Sequence, residues 1–167
     1  MSALSRIALH LLLPALLAGA SSASIAQQLD ARFSCSHARN EDGERVTYAD
    51  TAEMRLSGNR IDVFRWESAL FRPTHGFDCS IDEGDGLQAE VRDEPSRLMW
   101  RIGLSDARAA RDRRGFTFDR GMNCTIRLER NGDMLNVKPS CPALCGSRAN
   151  FSQLSVNLKT GKCHYEQ

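Results

Sequence analysis

The chain has 167 residues, of which 22 are basic and 21 acidic, and its formal net charge is +1. So even a balance argues against a general nucleic-acid binder and provides no broad field that would attract an anionic membrane. The length suits one ordinary domain with a core of its own, so disulfides would add to the fold and need not create it.

The N-terminal segment has the order of a secretory signal peptide. Arg6 supplies a positive start, an apolar run follows from Ile7 to Leu17, and small residues lead to Ser24-Ile25-Ala26. The apolar run is far shorter than the roughly 20 residues needed to span a bilayer. We expect residues 1–26 to be a signal peptide and residues 27–167 a single antiparallel β domain with no transmembrane segment. The mature protein is then periplasmic or secreted.

The cysteines all follow the predicted signal peptide, at Cys35, Cys79, Cys124, Cys141, Cys145 and Cys163. An even number in an exported chain indicates three disulfides. Cys141 and Cys145 are spaced C-x3-C, not the C-x-x-C of redox and zinc sites, so we expect structural disulfides and neither a metal nor another cofactor. For the pairing we expect Cys35–Cys79, with the other four cysteines paired among themselves.

Alternation of apolar and polar residues predicts four β-hairpins. The first turns at Gly58-Asn59 and sets Leu56 against Ile61 and Met54 against Val63. In this register Phe64 and Trp66 point the opposite way. The stretch Ser80–Gly86 is then expected to form an acidic turn.

The second predicted hairpin turns at Asp93-Glu94-Pro95-Ser96. It aligns the apolar residues of its two strands, which are Leu87, Ala89 and Val91 against Ile102, Trp100 and Leu98. The stretch Ser105–Arg114 then has helical character, with Ser105 or Asp106 as its cap and Gly115 at its end. It has no apolar stripe, so it is either a short surface helix or a loop between strands.

The third hairpin, residues 123–141, has the clearest pattern. Asn131-Gly132 favours a type I′ turn, which sets Ile126 opposite Val137 and Leu128 opposite Leu135. A fourth hairpin turns at Thr160-Gly161 and joins apolar residues of both its strands: Leu154, Val156, Leu158, Cys163 and Tyr165. Together these hairpins predict an all-β fold, a small antiparallel barrel or sandwich stapled by disulfides, with at most one short helix.

Three polar groups are candidates for chemistry, each with a structural alternative. His75 and Asp78 could form an acid–base pair if the fold brings them together, although a surface histidine near a turn is commoner. Asp82, Glu83 and Asp85 resemble part of a calcium loop, but turns use the same residues for their own backbone hydrogen bonds.

The third group is a basic cluster at Arg108, Arg111, Arg113 and Arg114, with Arg97 and Arg101 as candidates to join it. Such a cluster could bind an acidic partner, a sulfate or a phosphate. Asp106 and Asp112 dilute it, which favours a solvated face.

A loop between Cys141 and Phe151 has features of a rigid recognition element. Gly146 can adopt a positive φ and expose Ser147 and Arg148 between two cysteines. A loop that is already ordered loses less entropy when it binds. The alternative is a disulfide-braced connection that serves the fold alone.

Size, export signal, hairpins and this loop together resemble the small periplasmic lysozyme inhibitors of bacteria. Those proteins are compact antiparallel β-barrels held by a disulfide, and a loop with a Ser-Gly-x-x-Tyr core enters the lysozyme cleft. In the stretch Cys145-Gly146-Ser147-Arg148-Ala149 the glycine agrees, while Cys145 replaces the serine and Ala149 stands where the tyrosine is expected. The resemblance implies Ser147 and Arg148 as contacts, with the arginine facing the catalytic carboxylates of the target.

We therefore expect an exported, non-enzymatic binding protein whose partner is an envelope protein or a secreted hydrolase, and no nucleic acid. Its binding loop would be Gly146, Ser147 and Arg148, and its specific form the inhibition of a lysozyme-like hydrolase. Two alternatives stay open. Facing carboxylates across a cleft, among them Asp78, Asp82, Asp85 or others, would indicate a hydrolase or another carbohydrate-active enzyme. A broad apolar patch would indicate a structural or assembly factor of the envelope.

Overall fold

The computed structural model describes residues 27–94, 97–115, 123–140 and 153–166, without the side chains of Asp93 and Glu94. The predicted signal peptide and the predicted binding loop lie outside the described residues. The described chain folds into ten strands and one α-helix: β1 (Gln28–Glu41), β2 (Glu44–Ser57), β3 (Arg60–Phe71), β4 (Gly76–Asp82), β5 (Leu87–Glu94), β6 (Arg97–Leu104), α1 (Ala107–Arg113), β7 (Ile126–Asn131), β8 (Met134–Pro139), β9 (Leu154–Asn157) and β10 (Cys163–Tyr165). No helix within these ranges is long and apolar enough to cross a membrane.

The strands form two antiparallel sheets that share one core. The first sheet has the order β1-β2-β3-β4, and the second has the order β10-β9-β8-β7-β6-β5. Buried residues of both sheets belong to a single apolar cluster, in which Trp66 and Trp100 are fully buried. The predicted all-β fold of hairpins is confirmed, and of the two predicted architectures it is the sandwich.

Strand faces follow the period-2 rule, because one face of each sheet packs on the core while the other meets solvent. In β1, Leu29, Ala31 and Phe33 are buried and the residues between them are exposed. The longest hairpin, β1–β2, turns at Asp42-Gly43, where Asp42 has φ 52° and Gly43 has φ 84°. This hairpin is not among the four predicted from the sequence.

Two predicted hairpins form with the right faces but a register displaced by two residues. In β7–β8, Ile126 lies opposite Pro139 and Leu128 opposite Val137, because the two-residue turn is Gly132-Asp133 and not Asn131-Gly132. In β5–β6, Ala89 lies opposite Ile102 and not opposite Trp100, and Glu94 lies opposite Arg97. An even displacement leaves each side chain on its predicted face.

The Gly58-Asn59 hairpin is confirmed at its turn, where Leu56 lies opposite Ile61, but the register predicted beyond that pair is wrong. A β-bulge leaves Asp62 as an extra residue, so that Arg55 and not Met54 lies opposite Val63. The extra residue reverses the faces of the rest of β3. Phe64 and Trp66 therefore point into the core, where both are fully buried.

The predicted helix and C-terminal hairpin both form, but the loop of the hairpin is longer than a turn at Thr160-Gly161 and leaves Leu158 outside β9. Cys163 lies opposite Val156 and Tyr165 opposite Leu154. Helix α1 begins at an Asp106 cap, whose side chain accepts the Ala109 N–H at 2.9 Å.

The predicted Cys35–Cys79 disulfide is wrong, because Cys35 is bonded to Cys163. Cys35 lies on edge strand β1, and Cys79 lies on β4 at the opposite edge of the same sheet. Three strand spacings, about 14 Å, separate those edges, while a disulfide needs Cα atoms within about 7 Å. The observed bond instead joins the β1 edge of one sheet to the β10 edge of the other. Cys79 and Cys124 each take part in a disulfide as well.

Candidate functional site

The most unusual surface of the described molecule is a row of cations on the outer face of the six-stranded sheet. Arg101 of β6 lies directly opposite Arg127 of β7, which lies directly opposite Lys138 of β8. Adjacent strands are about 4.8 Å apart, so the row spans about 10 Å across three strands. Like charges directly opposite each other destabilise a sheet. Two carboxylates near the row, those of Glu90 and Glu129, offset part of this repulsion.

A shallow groove of about 690 Å³ runs along this row. Its described lining consists of cations, short polar side chains and two apolar residues: Arg92, Arg97, Met99, Arg101, Thr125, Arg127, Lys138, Pro139, Ser140 and Gln153. Within this lining there is neither a carboxylate nor an aromatic ring. The described lining thus carries net positive charge, although the chain as a whole is nearly neutral.

Glu129, beside the groove, holds two of these cations in place. Its side chain is 10% exposed, and its carboxylate lies 2.9 Å from Nε of Arg127 and 3.5 Å from Nζ of Lys138. One carboxylate between two cations leaves a positive excess and restricts both side chains. Restricted cations lose less conformational entropy when a ligand binds.

Arg101 has a weaker internal partner. Its guanidinium lies 3.7 Å from the Glu90 carboxylate, and both side chains are at least half exposed. Exposed ion pairs of this kind contribute about 0–1 kcal/mol, so an incoming anion can readily compete for Arg101.

The arginines predicted to form a basic cluster have a different role. Arg114 forms a bidentate ion pair with the buried Asp85, with Nε–Oδ1 at 2.8 Å and Nη2–Oδ2 at 2.6 Å. Arg113 donates to the Gly84 carbonyl at 3.4 Å, and Arg111 is buried. The solvated face predicted for this cluster is thus wrong for Arg111 and Arg114. Arg113 and Arg114 thus bind the acidic turn of their own chain, Arg113 through backbone carbonyls and Arg114 through the Asp85 carboxylate.

The acidic turn that resembled a calcium loop is occupied by these contacts. Asp82 caps a short 3-10 helix at Glu83–Asp85 by accepting the Gly84 N–H at 2.8 Å. Glu83 pairs with Arg65 at 3.2 Å, and backbone hydrogen bonding, chiefly its own, together with Arg65 lowers its pKa. Within the described ranges, no group of three histidine, cysteine or acidic residues is placed to hold a metal ion.

The predicted His75–Asp78 pair has no support in the contacts of His75. Nδ1 of His75 lies 2.8 Å from the Thr74 hydroxyl, and its ring meets Phe77 edge-on with centroids 5.1 Å apart. Asp78 is exposed on β4.

The sequence analysis missed a buried polar cluster that ties β10 to the other sheet. Asp50 is 1% exposed and accepts hydrogen bonds from Nε1 of Trp66 at 2.9 Å and from the Tyr165 hydroxyl at 2.8 Å. Burial raises the pKa of Asp50, although a hydrogen bond from Ser68 and those from Tyr165 and Trp66 oppose the shift. Burial and the nearby Asp50 likewise raise the pKa of Tyr165. Since Asp50 is closed to solvent, the cluster serves the fold.

The predicted binding residues Gly146, Ser147 and Arg148 lie outside the described residues, as do Cys141 and Cys145. Ser140 is the last described residue before this segment, and Gln153 is the first described residue after it. Both of these residues line the cationic groove.

In comparisons with known proteins, no family model, curated protein or solved structure matches this chain.

Proposed function

We propose that this chain is an exported, non-enzymatic binding protein that recognises a negatively charged partner with the outer face of its six-stranded sheet. The observation that carries the proposal is the row of Arg101, Arg127 and Lys138 across three neighbouring strands. The three cations meet two carboxylates, those of Glu90 and Glu129, so a negatively charged ligand would neutralise the positive charge that remains. Because the described lining residues include no carboxylate, we expect the partner to carry the negative charge.

A hydrolase is less well supported by the carboxylates of the described chain. Asp85 is paired with Arg114, and Asp82 caps the acidic turn. Glu53 and Glu67 do line a groove of about 500 Å³ on the outer face of the four-stranded sheet. However, Arg32 hydrogen-bonds to Glu53 at 3.0 Å and lowers its pKa, whereas a glycosidase general acid needs a raised pKa.

A structural factor that docks through a broad apolar patch is also less well supported. Among the described residues, the exposed large apolar side chains are Phe71 and Met134, which lie on different sheets. Single exposed apolar residues are normal on a soluble surface and do not form a docking patch.

Inhibition of a lysozyme-like hydrolase is a second candidate within the same class. It is favoured by the position of the groove, because Ser140 and Gln153, the described residues on either side of the segment with Ser147 and Arg148, both line it. Glycosidases act with a pair of carboxylates in their cleft, which would offer a cationic face a complementary target.

Retention on a carboxylate cation-exchange matrix at pH 7 tests whether the cationic face is accessible. The full-length chain, expressed in an export-competent host, would be compared with Arg101→Gln/Arg127→Gln, in which Lys138 still partners Glu129. The matched control is Arg32→Gln/Arg65→Gln, which removes the same charge from the other sheet. We expect the groove variant to elute at lower salt than the control. Co-elution of the two variants would contradict the proposal.

A titration against c-, g- and i-type lysozymes tests the second candidate. Stoichiometric inhibition of one type that is lost in Ser147→Ala/Arg148→Ala would support it. No inhibition by the oxidised protein at a large molar excess would remove it and leave the binding face itself unaffected.

A further inference from the structure

We infer that the ligand of the cationic groove is an acidic polysaccharide, a sugar chain that carries carboxylate or sulfate groups at intervals. This inference rests on the proposed function and specifies its partner. The first argument is geometric, since Arg101, Arg127 and Lys138 lie in line across the strands. A linear ligand with repeated anionic groups can meet all three cations along the row.

The chemistry of the cations agrees with oxyanion groups on a flexible chain. A guanidinium presents a planar fork that matches carboxylate and sulfate oxygens, and the lining has four arginines to one lysine. Glu129 holds Arg127 at 2.9 Å and limits its motion before any ligand arrives.

The other lining residues favour a hydroxyl-rich ligand. Thr125, Ser140 and Gln153 donate and accept hydrogen bonds, as sugar hydroxyls do. Met99 and Pro139 provide the apolar contact of the described lining, and neither is a large anchor.

The composition and exposure of the described lining also bear on two other classes of polyanion, nucleic acid and acidic protein. Proteins that bind single-stranded nucleic acid stack bases on aromatic side chains, which the described lining does not contain. Protein–protein interfaces usually centre on a tryptophan, tyrosine or arginine in a desolvated pocket. Here Arg101 and Arg127 are about half exposed, in a shallow groove.

Fluorescence or calorimetric titration with defined polymers tests the inference, using the protein as it is obtained from an export-competent host. The probes are polygalacturonate for carboxylates, dextran sulfate for sulfates, neutral dextran as the blank, poly(dT) as a nucleic acid and poly-Glu as an acidic polypeptide. We expect binding to polygalacturonate or dextran sulfate that weakens as salt is raised, because exposed charges are screened. Affinity should fall about 5- to 30-fold in Arg101→Gln/Arg127→Gln. It should fall less than twofold in the control Arg32→Gln/Arg65→Gln.

Three results would overturn the inference: no binding to either acidic polysaccharide, an equal loss in both variants, or tighter groove-dependent binding to poly(dT) or poly-Glu. The last result would keep the proposed binding function and replace the ligand class. If every polymer fails and the two variants also co-elute on the carboxylate matrix, the proposed function fails with the inference.

Discussion

Replacing both Cys35 and Cys163 by alanine would release β10, a strand of three residues, from the edge of the opposite sheet. The two cysteines are 128 residues apart, so in the chain-entropy model their disulfide stabilises the fold by about 5 kcal/mol. Cys79 and Cys124 each take part in a disulfide as well. These cross-links remain in the double variant and already restrict its unfolded chain. We therefore expect the double variant to lose about 3–4 kcal/mol of unfolding free energy.

Urea denaturation of the oxidised protein and the double variant measures this loss. The dependence of the unfolding free energy on urea should also steepen, because the unfolded variant is less compact and exposes more surface. A loss below about 1 kcal/mol with an unchanged urea dependence would refute the reasoning. It would show that the hydrogen bonds and packing of β10 hold the two sheet edges together without the covalent bond.

Three further predictions concern the buried polar groups. Tyr165→Phe removes one donor to Asp50 and should cost about 1.5–3 kcal/mol in urea denaturation, and an unchanged midpoint would contradict this. Because burial raises the folded-state pKa of Asp50, the stability that it contributes is complete below its unfolded pKa, near 3.8, and is lost as pH rises through the folded pKa. Asp50→Asn should lack this decline when unfolding is measured from pH 3 to 7, and parallel profiles would show that Asp50 does not titrate as described. Arg114→Ala leaves Asp85 buried without its ion pair and should cost about 2–3 kcal/mol, whereas a change under about 0.5 kcal/mol would mean that solvent replaces Arg114 fully.

Local sequence patterns predicted strand faces well and registers less well. Alternation alone placed Leu128, Leu135 and Val137 inward, and all three are fully buried. The bulge at Asp62 was not visible, because one extra residue changes the faces beyond it without a distinctive sequence signal. Phe64 and Trp66 were therefore assigned to the wrong face.

The cationic groove could not be predicted from any single hairpin, because its row of cations is assembled from three strands. The predicted register of β7–β8 set Arg127 opposite Asn136, and only the observed displacement brings it opposite Lys138. The third member, Arg101, joins through the pairing of β6 with β7, two strands separated by helix α1. Net charge was misleading for the same reason, since strand pairing gathers positive charge on one face of a nearly neutral chain.

The disulfide pairing shows the same dependence on topology. Fifteen pairings of six cysteines are formally possible, and only the order of strands in the two sheets shows that Cys35 and Cys163 lie at adjoining edges. The buried contact between Tyr165 and Asp50 joins residues 115 positions apart, so it too required the complete fold.

An NMR titration of the ¹⁵N-labelled protein with short polygalacturonate fragments tests most directly the claim that the outer face of the six-stranded sheet is a recognition surface. We expect amide and guanidinium shifts that cluster on β6, β7 and β8 around Arg101, Arg127 and Lys138 and that diminish with added salt. Shifts centred on the outer face of the four-stranded sheet, or none at saturating ligand, would contradict it.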